Sequence, residues 1–321
     1  MKLRYCSDLH LEFNPPPTRV QLFPKGGDPV SEILLIAGDT IPAVFLDPSN
    51  IDPRSLSLRK RFNELLAMVS AYRQVYFIGG NHDVYYSDLL TGRKLFNAYL
   101  RKANIPAAKM KMLEKEAIEL APHVILLAST LWTDMNRNDP LAHEAVGKGM
   151  NDFSKINYGQ RTFTTRDAVR VHKRSLKKLS KLYRHHTLGD ETKSPDDKTR
   201  IIIMSHHQPS FEGLKGSVRH GGAIDFGYYS DLTDWVLDRP QISHWIAGHT
   251  HHNTSYDIGN CTVLTNCRGY GIAYYKDRCF DNFSLKPCID VYDGKNANIN
   301  SNQAERELGS SSYHADWRVP S

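Results

Sequence analysis

Apolar residues in this chain gather into short unbroken runs, each closed by glycine or by a polar residue. Residues 2–6, where Lys2 and Arg4 break the run, Ile33-Leu34-Leu35-Ile36-Ala37, Val75-Tyr76-Phe77-Ile78, residues 123–128, Ile201-Ile202-Ile203-Met204 and Ser243-His244-Trp245-Ile246-Ala247 are the segments that read as strands. The second of them is a continuous apolar run and predicts a strand buried on both faces. Between them the period changes. Leu58, Phe62, Leu65, Leu66 and Val69 recur every three or four residues and predict a helix over 58–72, and 88–102 reads as a second amphipathic helix. Residues 40–57, with Pro42, Pro48 and Pro53, read as a loop. Strands alternating with helices predict an α/β protein.

Residues 138–190 are polar, mostly helical and only weakly periodic. They predict a helical, lid-like insertion in one domain that spans 1–292. Residues 189–198 read as a surface loop, the glycine-rich 213–227 as a mobile loop, 229–238 as a short helix and 254–265 as a hairpin around Gly259-Asn260. Residues 293–321 turn polar and are expected to form a poorly ordered tail.

The residues that close the runs share one chemistry. Asp8 and His10 follow the first, Asp39 the second, Asn81, His82 and Asp83 the third, His206 the fifth, and His249 and His251 the last. In open α/β sheets, ligands bind beyond the carboxyl ends of the strands. A single such histidine is more often a hydrogen-bonded structural residue, but five run ends of the same design argue for one site. The two-residue spacing of Asp8/His10 and His249/His251 predicts that each pair points to one side of an extended segment. Carboxylate, imidazole and amide oxygen together suit manganese, iron or zinc. With His82 set aside, seven ligands are too many for one ion, so two ions sharing Asp39 are the economical reading. Paired ions clamp the attacking and leaving oxygens of an in-line displacement, which points to phosphoester hydrolysis.

Composition narrows this little. The 321 residues are 40% hydrophobic and 24% charged, as in soluble globular proteins. No apolar run reaches about 18 residues, and a soluble cytoplasmic protein is expected. A net charge of +6 suits an acidic substrate but does not by itself argue for nucleic acid. Cys261, Cys267, Cys279 and Cys288 are too unevenly spaced for a zinc ribbon and read as free thiols, with a second metal site or a disulfide as the alternative.

The ordered blocks Asp-x-His, Gly-Asp, Gly-Asn-His-Asp, His and Gly-His-x-His, from Asp8 to His251, resemble the calcineurin-like metallophosphoesterases over about three quarters of the chain. Thr130-Leu131-Trp132 and Met150-Asn151-Asp152-Phe153 are also similar to blocks of a subgroup of small phosphoesterases. The resemblance implies a four-layer αββα sandwich of two mixed sheets flanked by helices. It implies Asp8, His10 and His251 as ligands of a first ion, Asp39 as the bridge, and Asn81, His206 and His249 as ligands of a second. The two cations would be divalent or trivalent, manganese first, with iron, zinc, nickel or magnesium as alternatives.

The implied reaction is attack of a metal-bridging hydroxide, in line, on a phosphomonoester or phosphodiester. His82 would serve the leaving group, with Asp83 or another carboxylate holding its ring. Asn81, His207, Arg219 and His220 are the candidate substrate contacts, and the lid-like insertion favours a phosphorylated small molecule or nucleotide. A basic run at 173–184 keeps open a nuclease or nucleic-acid end-processing phosphodiesterase. A non-catalytic, metal-stabilised interaction module is the third reading; the complete ligand set argues against it. Gly269-Tyr270 reads as a packing or turn element at the site's edge.

Overall fold

The computed structural model describes residues 1–291 apart from 26, 195–196, 218–220 and 272–276. Arg219 and His220, and the tail expected over 293–321, therefore lie outside the described residues.

The strands, in chain order, are β1 (Lys2–Cys6), β2 (Ile33–Ala37), β3 (Gln74–Ile78), β4 (Met110–Leu113), β5 (Glu116–Ala121), β6 (Val124–Ala128), β7 (Asn157–Tyr158), β8 (Arg161–Thr162), β9 (Arg200–Met204), β10 (Ile242–Ala247), β11 (Ser255–Ile258), β12 (Cys261–Thr265) and β13 (Cys288–Asp290). The longer helices are α1 (Pro53–Val69), α2 (Gly92–Lys102), α3 (Pro140–Gly149) and α4 (Thr165–Thr187). One sheet has the order β13-β1-β2-β3-β4 and the other β11-β12-β10-β9-β6-β5; β7 and β8 form a small hairpin. Both large sheets are mixed: β1 to β4 run parallel with β13 antiparallel at the edge, and β6, β9, β10 and β12 run parallel with β5 and β11 antiparallel.

The unbroken apolar runs are explained by the layers. In β2, Ile33, Leu35 and Ala37 face the second sheet, where they meet Leu126, Ala128, Ile202, Met204 and Ile246. Leu34 and Ile36 face the other way, onto Leu58, Phe62, Leu65 and Leu66 of α1 and Phe96 of α2. On the second sheet, Ile201, Ile203 and Trp245 pack against Leu179 and Tyr183 of α4. Alternate residues of each strand are thus buried on opposite faces, and helix, sheet, sheet and helix form the four expected layers. A further cluster joins Val146 of α3, Ile156, Phe163 and Val169 of α4 to Tyr85 and Trp132.

Two local expectations change. Pro53 opens α1 instead of lying in a loop: the Asp52 side chain accepts from Ser55 N at 3.0 Å, and proline at the first helical position sacrifices no hydrogen bond. Residues 103–122, for which the apolar pattern predicted nothing, carry β4 and β5; β5 is a partly exposed edge strand with no unbroken apolar run to announce it.

Candidate metal centre

Strands β1, β2, β3, β9 and β10 all lead into the site. Asp8, His10, Asp39, His249 and His251 have φ of 56°, 46°, 53°, 71° and 49°. The extended geometry expected from the two-residue spacing is therefore not what turns each pair inward. Left-handed turns just past the strands do so, at about 1–3 kcal/mol each. Such strain persists only where surrounding structure holds it. Asp83 supplies part of that hold, since its buried carboxylate accepts from the N–H groups of Asp39, Thr40, Ile41 and Gly80 at 2.7–2.9 Å. Close approach matters as well: a Cβ on Gly80 would lie 2.1 Å from Asp39 Oδ1, and one on Gly38 2.4 Å from His206 Nδ1.

The predicted ligand atoms converge. His251 Nε2 is 3.4 Å from Asp8 Oδ1 and 2.9 Å from His10 Nε2. Asp39 Oδ2 lies 3.6 Å from His10 Nε2 and 3.4 Å from His206 Nε2. His206 Nε2 is 3.0 Å from Asn81 Oδ1, while its Nδ1 faces the Ala37 carbonyl at 2.8 Å. Two groupings that could hold an ion follow, Asp8/His10/His251 and Asp39/His206/His249, and a third joins His10, Asp39 and His82. No cysteine belongs to any of them, and all five cysteines are free thiols.

The electrostatics fit cations. Burial lowers the proton affinity of His206, yet Asp39 and Asp8 outweigh it and push that imidazole up to about 10. Burial likewise opposes, and Asp277 and Asp8 overcome, in raising His251 to about 9. Asp8 and Asp39 are buried, which raises carboxyls, but the surrounding imidazoles hold both well below the usual range. The centre thus attracts positive charge. Burial, with His207 and His206 beside it, holds the His249 imidazole well below its ordinary value, and among the described residues its buried Nε2 has no hydrogen-bond partner. His10 and His251 also point ring nitrogens at one another. An orphaned imidazole nitrogen and two facing ones are lone pairs in want of an ion, and the mixed oxygen and nitrogen donors suit manganese, iron or zinc.

Four contributors went unseen in the sequence. Glu12 is buried, and its Oε1 lies 2.9 Å from both His10 Nδ1 and His82 Nδ1. Burial raises its carboxyl, but the two imidazoles bring it down to about 2. Asp152 Oδ1 accepts from Asn81 Nδ2 and from the Tyr85 hydroxyl, both at 2.7 Å, turning the Asn81 oxygen toward His206. Asp277 Oδ2 lies 2.6 Å from His251 Nδ1. The Tyr270 hydroxyl is 3.1 Å from His82 Nε2. Glu12 extends the Asp8, His10 alternation by one step, Asp152 lies in a block already singled out, and Tyr270 was read only as a packing or turn residue at the site's edge; nothing local marked Asp277.

Two expected roles are corrected. The carboxylate on the His82 ring is Glu12, not Asp83, whose oxygens are taken by backbone N–H groups. His207 was a candidate substrate contact, but it is buried, faces the Thr130 carbonyl at 3.2 Å and packs against Trp132, away from the cavity wall. Burial and His206 hold its imidazole down to about 3. The cavity itself, about 220 Å³, is lined by Asp39, Asn81, His82, His249, His251 and Tyr270, with Met150, Asn151 and Asp152 on one side.

Among the described residues no helix is long and apolar enough to cross a membrane. The family model for calcineurin-like phosphoesterases matches residues 1–253. No curated protein is a significant sequence match. Among solved structures, phosphopantetheinyl hydrolase from Mycobacterium tuberculosis is similar at 14% identity and TM-score 0.52, covering 84% of this chain and 89% of that one. A dimetal phosphatase from Danio rerio is 15% identical over 83% of this chain and 86% of that one, at TM-score 0.41. At such identity the first likeness concerns the fold alone, and nothing rests on the second. The family match, together with strand ends that bring carboxylates and imidazoles into two ion-sized groupings, makes this chain a member of the calcineurin-like phosphoesterases, a metal-dependent hydrolase of phosphoester bonds.

Proposed function

We propose that the centre hydrolyses small phosphomonoesters or phosphodiesters with two ions, manganese first among the candidates. Asp8, His10 and His251 would hold one, Asn81, His206 and His249 the other, with Asp39 between them. The observation that carries this is Asp39 Oδ2, a single carboxylate oxygen within 3.6 Å of nitrogen donors from both groupings. Bound there, the ions supply Lewis acidity toward the phosphoryl oxygens and a hydroxide nucleophile near neutral pH.

The chain's own residues do the rest. Glu12 accepts from His82 Nδ1 and so leaves Nε2 to face the cavity beside the Tyr270 hydroxyl. Burial opposes the charged imidazole, but Asp39 and Glu12 hold His82 above its ordinary value. When protonated, His82 donates from Nε2 to the leaving oxygen as its bond to phosphorus breaks. Asp152 fixes the Asn81 amide, so that its oxygen is offered to the ion and its nitrogen is turned away. Met150, Asn151 and Asp152, which line the cavity, belong to the lid-like insertion and support a small ligand, a phosphorylated metabolite or nucleotide. Five free thiols suit a reducing, cytoplasmic setting.

The test is hydrolysis of para-nitrophenyl phosphate and bis-para-nitrophenyl phosphate with Mn²⁺, wild type beside Asp39→Ala and His82→Ala. Metal-dependent turnover that Asp39→Ala abolishes is expected, and the ratio of the two substrates separates monoesterase from diesterase. Bound metal with turnover on neither substrate would sink the generic-hydrolase reading and leave a very selective enzyme or the interaction module.

A further inference from the structure

Helix α4 differs from the rest of the surface. Between Arg166 and Arg184 it presents eight lysines and arginines, all exposed, and no exposed acid. Its single acid, Asp167, is buried and paired with Arg161 and Arg170. None of the other basic residues from Lys173 to Arg184 forms an ion pair among the described residues; Arg174 reaches only the Tyr158 hydroxyl, at 3.3 Å. The helix therefore carries a net +7 of the chain's +6, and everything else sums to −1. The basic character of the protein is this one helix.

The arrangement works against the helix itself. Arg170/Arg174, Lys173/Lys177, Arg174/Lys178 and Lys177/Lys181 are like charges four residues apart, neighbours on the helix surface that repel. A merely solvated face would mix in glutamates and remove that repulsion. From Arg166 to Arg184 the ridge is about 27 Å long at 1.5 Å per residue, about one cation per 3.4 Å. That is the spacing of phosphates along one strand of a nucleic-acid duplex. Arg174 also lines a second cavity, of about 270 Å³, together with Gly79 and Gly80, the two residues that precede Asn81 in the chain.

We propose that the exposed face of α4 is a docking ridge for the phosphodiester backbone of a nucleic acid. A membrane surface is the competing polyanion. A basic helix that lies on a bilayer needs its apolar face free to enter it, and here Val169, Val171, Leu179 and Tyr183 spend that face in the protein core. Docking there is independent of which phosphoester the centre cleaves.

The experiment uses the full chain, in chelator so that cleavage cannot intrude. Fluorescence anisotropy follows a fluorescein-labelled 20-nucleotide DNA strand and its duplex between 50 and 200 mM salt. The triple variant Lys173→Glu/Lys177→Glu/Lys181→Glu should weaken binding at least tenfold and reduce the slope of log affinity against log salt by about 3. The neutral triple Lys173→Gln/Lys177→Gln/Lys181→Gln should fall between, and both should keep wild-type turnover of bis-para-nitrophenyl phosphate with Mn²⁺. Binding that is undetectable in the wild type, or unchanged in both triples, overturns the proposal. So does cosedimentation with phosphatidylserine vesicles at salt concentrations where the oligonucleotide does not bind.

Discussion

Removing the Glu12 carboxylate tests whether one buried oxygen organises both a metal ligand and the cavity histidine. In Glu12→Ala, His10 and His82 each lose the acceptor that lies 2.9 Å from Nδ1. Each is an imidazole packed against other rings, and among the described residues no other hydrogen-bond partner of either Nδ1 is seen. A buried donor left unpaired costs about 1–3 kcal/mol, hence roughly 2–6 kcal/mol for the two, divided between folding and function. Loss of a partner behind a metal ligand typically weakens the ion about 10–100-fold, about 1.4–2.8 kcal/mol. Calorimetric Mn²⁺ titration should show that weakening for one of two ions. The kcat for bis-para-nitrophenyl phosphate at saturating Mn²⁺ should separately fall about 100-fold, the low end of what a positioned proton donor contributes. Glu12→Gln keeps an accepting oxygen and should lie between the two in both readouts. Wild-type Mn²⁺ affinity together with wild-type kcat in Glu12→Ala would refute the assignment.

Other outcomes follow from the same geometry. Asp83→Ala leaves the N–H groups of Asp39, Thr40, Ile41 and Gly80 without their acceptor and should lower stability by at least about 3 kcal/mol in urea unfolding; unchanged stability with lost turnover would return Asp83 to a catalytic role. Chelation should lower Tm and Mn²⁺ restore it, since ligand at 100 times its Kd stabilises by about 2.7 kcal/mol, and Asp39→Ala should abolish the shift. The Asp167 carboxylate, held below the usual range chiefly by Arg161 and also by Thr164, contributes stability that is present above the ordinary carboxylate pKa and lost as pH falls through the lower folded value. The Tm gap between wild type and Asp167→Asn should therefore be full at pH 7 and close below about pH 4.

Much of this protein is written in its sequence because burial on two faces forces unbroken apolar runs. β2 and β6 are wholly such runs, β3 and β9 are after their first residue, and the end of a strand is where the chain can carry Asp8, Asp39, Asn81, His206 or His249. The edge strand β5, exposed on one side, had no such constraint and left no trace; Pro53 was misread because the same residue that breaks a helix interior also opens one. What only the tertiary structure decided is which groups hold the ligands in place. Glu12 meets His82 across 70 residues, Asn81 meets Asp152 across 71 and His251 meets Asp277 across 26. The left-handed turns at Asp8, His10, Asp39, His249 and His251 belong to the same class. Neither a strained φ nor the pairing of Glu12 with His82 or of Asp277 with His251 is favoured by its own sequence neighbours. Both arise when the sheets pack and bring chain segments far apart in sequence to within one hydrogen bond, where a dry interior makes every unpaired polar atom costly.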